Sequence, residues 1–320
     1  MSVIVAMLPW VAPPAWAADL FVCDVCDYTT ISAALVDVAP FDTILVDPGT
    51  YIEYLDVTVP VLVVGTGPGV VIQNPGDIDR PIIQTDNAFL GLDNLTVTGG
   101  DHEAGDGGAI YANSGLALIN VTVADSFAVR GGGVFFAGGS LTVENSVFSS
   151  NSARQGGAMY IESAEGGIQT TWFSGNSAFS SPGRGGAIHQ ENGALSISRS
   201  AFTSNGALYG GAFHMQDGST GIGDSTFHGN SVELSGGAFW MADGSLEIQR
   251  STITDNAASS GGAFFIATDF PVVFLQGSAF DGNDNSGFGT ACAGSTEEPL
   301  SNYLLSTGFN FFESEDVCPI

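Results

Sequence analysis

Three of the six arginines in this 320-residue chain stand beside Gly-Gly pairs. Arg130 precedes Gly131, Arg184 precedes Gly185, and Arg154 lies two residues before Gly156. If those pairs stack, the three guanidinium groups converge on one turn and form a site for an anion, with Asp106, Asp125 and Glu162 as neighbours. The duller reading is a column of arginines balanced by surface acids. Catalysis by Arg130, Arg154, Arg184 and Asp125 is therefore an alternative, and no residue is assigned a catalytic role ahead of it. Carboxylates about 5 to 9.5 Å apart would serve glycoside hydrolysis, but stacked coils bring acids to that spacing almost anywhere. His102, His189, His214 and His228 lack the spacing of a metal motif. Residues 281–287 resemble the start of a calcium loop but lack its sixth-position glycine and closing glutamate. No cofactor is expected, and calcium stays as an alternative at Asp281, Asn283 and Asn285.

A second pattern points to binding. After each Gly-Gly and a small residue comes an apolar position, Ile110, Val134, Met159, Ile188, Phe213, Phe239 and Phe264. The next position holds Tyr111, Phe135, Tyr160, His189, His214, Trp240 and Phe265. Strand alternation sends the first column inward and the second outward. An exposed aromatic stripe is a surface on which sugar rings or a partner protein could lie. The competing reading is that the rings only stack on one another.

The elements that must position these residues are read from a repeat. Gly-Gly recurs at residues 107, 131, 156, 185, 210, 236 and 261, a spacing of 24 to 29. Between the pairs recurs Phe-x-x-Asn, ending at Asn151, Asn176, Asn205, Asn230, Asn256 and Asn283, with Ile253 replacing Phe once. Five residues before each Asn stands Ser or Thr, and eight before it an aliphatic residue. Short runs such as Leu141-Thr142-Val143 alternate with period two, so they are strands. A unit of this length cannot bury its apolar face alone, and its neighbours must stack at about 4.8 Å. The prediction is an all-β fold, a single-stranded right-handed parallel β-helix of about ten coils. Each Asn is expected to be structural, in a turn where its amide bonds backbone groups of its own and adjacent coils and where it tolerates a left-handed conformation. Residues 42–289 form the β-helix, with regular repeats over 107–283. Residues 19–41 form a cap with a short helix over 30–36 that covers the first coil.

Residues 1–18 are apolar and close on Ala15-Trp16-Ala17, which predicts a cleaved secretory signal. No later stretch is long and apolar enough to cross a bilayer. Four cysteines suit an oxidising compartment. The ends of a rod are too far apart to be bridged, so Cys23 pairs with Cys26, and Cys292 with Cys318 in a C-terminal segment over 290–320. With 34 acids, six arginines and no lysine, the formal charge is -28. That charge repels phosphate backbones and excludes nucleic acid as a partner. A monomer is expected.

Gly-Gly-Ala-(Ile/Val/Phe) alternating with Phe-x-x-Asn resembles the repeat of the chlamydial polymorphic outer membrane proteins, surface adhesins with β-helical passengers. The opening, Cys26-Asp27-Tyr28-Thr29-Thr30-Ile31 through Asp47-Pro48-Gly49-Thr50-Tyr51, resembles that of bacterial pectin-lyase-like β-helix proteins. No stretch after Cys318 supplies an outer-membrane barrel, so self-translocation is not expected. The resemblance implies an exported or cell-surface binding or adhesion protein whose partner is a glycan or a surface protein. Its rivals are a polysaccharide lyase or glycosidase acting on an acidic glycan, and a structural envelope component.

Overall fold

The computed structural model describes residues 18–76, 78–268, 272–285, 292–294, 304–307 and 310–312. The chain winds as a right-handed parallel β-solenoid of about ten turns. Each regular coil repeats one order. A strand of the third sheet such as Ser152–Gln155 passes through Gly-Gly into a three-residue strand of the second sheet, Met159–Ile161. A turn leads on to two strands of the first sheet, Ala164–Gln169 and Trp172–Ser174, which meet at a bend. Register is kept column by column: Met159 pairs with Val134 on one side and Ile188 on the other.

The glycines explain the sharp corner between the third and second sheets. The first of each pair is left-handed, with φ between 61° and 73°, a region that costs other residues strain. The second is pressed between coils: a Cβ on Gly211 would run into the carbonyl oxygen of Gly237.

Inside, stacked columns form the core. Phe148, Phe173, Phe202 and Phe227 are fully buried, with successive ring centroids 4.9, 4.6 and 4.6 Å apart. Beside them runs a buried asparagine ladder. Asn176 donates from its backbone N and its Nδ2 to Asn205 Oδ1, and from Nδ2 to the Phe148 carbonyl. The same pattern repeats from Asn151 to Asn283. These asparagines are not the left-handed residues. That conformation falls on the position before each one, Ser150, Gly175, Ser204, Gly229, Asp255 and Gly282. The turn is made one residue early so that the amide can point inward and pair. A second ladder at the other bend uses Ser146, Thr171, Ser200, Ser225 and Ser251, as where the Thr171 backbone N donates to Ser200 Oγ.

At the N-terminal end, Asp19–Val22 pairs with Thr43–Val46, and the helix Ile31–Asp37 is capped by Thr30, whose hydroxyl accepts from the Ala33 N–H. Glu53 accepts from the free N–H groups of Ile31 and Ser32. Cys23 and Cys26 form a disulfide. At the other end, Cys292–Gly294 and Leu304–Thr307 continue the parallel pairing beyond residue 290. Cys318 and residues 1–17 lie outside the described residues. Among the described residues no helix is long and apolar enough to cross a membrane.

Candidate functional site on the outer face of the second sheet

The three-residue strands of the second sheet bury their first and third positions, and the middle position carries the ring column. Every step of that column is stacked, from Tyr111 on Phe135 through Tyr160, His189, His214 and Trp240 to Phe265. The expectation of an exposed stripe is corrected here. Phe135 and Tyr160 are 2% and 4% exposed, His189 and His214 are 0%, and Tyr111, Trp240 and Phe265 are half-buried. Coil spacing is close to ring-stacking distance, so each ring covers its neighbour's faces. Side chains from the adjacent corner cover the edges. The Arg130 guanidinium lies 4.7 Å from the Phe135 centroid and 4.9 Å from that of Tyr160, and Tyr209 meets Trp240 edge-on.

What this face does offer is a polar rim. Arg130 pairs with Asp106, one coil back in the same column, through Nε to Oδ1 at 2.8 Å and Nη2 to Oδ2 at 2.6 Å. Its Nη1 lies 3.6 Å from Glu162 Oε1. Glu191 Oε2 accepts from the Tyr160 hydroxyl at 3.0 Å and faces His189 Nε2 at 3.0 Å. Glu162 and Glu191 occupy equivalent places in consecutive coils, since the Glu191 N–H donates to the Ile161 carbonyl. The charged tips stay in water: the Arg130, Glu162 and Glu191 side chains are 30%, 47% and 43% exposed.

The electrostatics follow from those contacts. Its hydrogen bonds to Asp106 raise the Arg130 pKa above its ordinary value, so it stays a cation. Burial, reinforced by Glu191, pushes the Tyr160 phenol up to about 12 against the opposing pull of Arg130, which keeps it a neutral donor. The His189 hydrogen bond, helped by Tyr160, holds the Glu191 carboxyl below its usual range. Burial lowers His189 and lowers His214 further. A neutral His189 facing a carboxylate carries its proton on Nε2. Its Nδ1, and both ring nitrogens of His214, are buried without a partner.

The other expected residues are dispersed. The column of Arg130 continues as Gln155 and Arg184, so Arg154 is one residue out of register and exposed. Asp125 is an exposed left-handed residue at the corner between the first and third sheets, whereas Arg130 ends the strand Phe127–Arg130 at the next corner. The three-arginine anion site is therefore not assembled as expected. Arg250 chelates Asp224 through two 2.8 Å bonds on the outer bend of the first sheet, with Arg199 in the same column. Asn283 spends its Oδ1 in the asparagine ladder while Asp281 faces solvent, so the calcium alternative at Asp281, Asn283 and Asn285 loses a ligand. Among the described residues no group of three or more His, Cys, Asp or Glu could hold a metal. Glu191 is the site residue that sequence reasoning missed, although it follows His189 by two and alternation places both on one side.

The family model of the right-handed β-helix region matches residues 106–297. The chain belongs to the right-handed β-helix family. No curated protein sequence matches this β-helix protein. Among solved structures, a pectin methylesterase from Aspergillus niger is similar over 86% of this chain and 89% of that one, at 16% identity and a TM-score of 0.38.

Proposed function

We propose that this β-helix protein is exported to the cell surface or medium and binds a glycan along the outer face of its second sheet without cleaving it. The observation that carries this reading is the convergence of Arg130, Glu162, Tyr160 and Glu191 on a rail of stacked rings. Fixed donors and acceptors at coil intervals suit a hydroxyl-rich chain, and their mutual bonds pre-organise them. The apolar start and the adhesin-like repeat support export and a role in attachment. The ring column contributes as the support beneath the rim, with the half-buried Tyr111, Trp240 and Phe265 extending the contact.

A second reading rests on one observation, the consecutive placement of Glu162 and Glu191. Coils about 4.8 Å apart put two carboxyls near the separation of about 5 to 5.5 Å used by retaining glycosidases. Glu191, held ionised, would be the nucleophile, while Glu162, beside Arg130, would have to leave that ion pair before it could serve as the acid.

One experiment separates the two. The protein is titrated with a panel of neutral and acidic polysaccharides while binding and new reducing or unsaturated ends are both followed. Binding without new ends, weakened by Arg130→Gln and Glu191→Gln, is the expected result. New ends that disappear in Glu191→Gln would establish the enzymatic reading. Absence of binding to any glycan, with a surface protein captured through the same rim, would replace the ligand class.

A further inference from the structure

The ring ladder has an expensive section in its middle. Five of the seven positions hold Tyr, Phe or Trp, but two consecutive ones hold His189 and His214, stacked 4.7 Å apart. A buried imidazole needs a donor and an acceptor, and three of the four ring nitrogens here have neither. Phe is accommodated in the same column at Phe135 and Phe265, so a ring of this size does not require the heteroatoms.

Apart from Glu191, which favours a proton on His189, the charges around the pair oppose protonation. On their own strand His189 has the single carboxylate of Glu191, which the Tyr160 hydroxyl already engages. The preceding coils contribute Tyr160 and Arg130, the latter committed to Asp106 and Glu162. From the adjacent corner Arg184 adds positive charge that disfavours a cation on either imidazole, and Tyr209 approaches Trp240. The following coil presents the neutral indole of Trp240, 4.2 Å from His214.

We infer that His189 and His214 form an acid-sensitive break in the ladder: when they take up protons, the stack parts between Tyr160 and Trp240 and the outer face of the second sheet opens there. Two cations face to face, one of them with no counter-ion, are not held in a dry stack. The sign follows from burial, which lowers both groups in the closed state. Above the ordinary histidine value of about 6.5, neither state binds the protons. As the pH falls below it, the open chain takes up two and the closed stack none. The closed state then loses ground by up to about a hundredfold per pH unit until its own lower pKa values are reached.

The test uses the full chain with Trp10, Trp16 and Trp172 replaced by Phe, which leaves Trp240 as the sole indole. Its emission and the thermal midpoint are followed from about pH 8 to about pH 4.5, a range that brackets free histidine. Emission is expected to change and the midpoint to fall below about pH 6.5, and the His189→Phe, His214→Phe double variant is expected to lose that part of the dependence. If the double variant fails to fold, His214→Phe alone should cut the dependence to about tenfold per pH unit. A double or single variant that keeps the parent profile, or a Trp240 signal that ignores pH, would overturn the inference.

Discussion

The indole of Trp240 and the imidazole of His214 lie 4.2 Å apart and within 12° of parallel, each on the middle residue of its strand and on the side away from the core. An outward residue is thus packed against its neighbours, though less completely than an inward one. Phe213→Ala should cost about 3 to 5 kcal/mol, since it empties a fully buried place. Trp240→Ala should cost roughly 2 kcal/mol, because half-burial and stacking on two neighbours are lost. Urea denaturation of both variants checks this, and a Trp240→Ala protein as stable as the parent would mean that the ladder carries no stability.

The asparagine ladder gives a sharper expectation. Asn205→Ala removes the acceptor for two donors of Asn176 and two bonds from its own Nδ2. Each buried group left unpaired costs about 1 to 3 kcal/mol. The loss should appear as faster hydrogen exchange in the coils on either side, measured by mass spectrometry, before the ends of the rod respond.

Two glycines separate structural need from freedom. Gly211→Ala should destabilise by at least about 2 kcal/mol, because its Cβ meets the backbone of the next coil. Gly221, at a half-exposed position on a strand of the first sheet, has open space above it and no left-handed φ. Gly221→Ala should therefore be neutral or stabilise by about 0.5 kcal/mol. Thermal midpoints of the pair decide it.

Much of this architecture was legible as columns. Gly-Gly, Phe-x-x-Asn and the Ser/Thr position recur through the regular coils over 107–283, because a solenoid aligns equivalent residues on top of one another. Alternation correctly put Tyr160 and His189 on the outer side of the sheet. It could not report their burial, which depends on Arg130 and Tyr209 arriving from another corner. The arginines were misjoined for a related reason: Arg154 and Gln155 are adjacent in sequence, and one residue of register decides which shares the column of Arg130. The asparagine amides do bond backbone of the adjacent coil as expected, but the left-handed residue is the one before each, because both a turn and an inward amide suit Asn and only the hydrogen bonds distinguish them.

The Asp224–Arg250 pair offers a control. Both groups are exposed, and the Arg250 hydrogen bonds hold the Asp224 carboxyl below its usual range. A lowered carboxyl contributes stability that is present above its ordinary pKa of about 4 and lost as the pH falls through the folded value. Water and salt screen the pair, so Asp224→Asn should shift the thermal midpoint little at neutral pH, and less in high salt.

The most direct test of the binding account is hydroxyl-radical footprinting of the protein with and without a bound glycan. Protection is expected at the half-buried Tyr111 and Trp240 flanking the polar rim, with the exposed Trp172 on the first sheet unchanged. Protection of Trp172 with no change at Tyr111 or Trp240 would place the ligand on a different face and contradict the account.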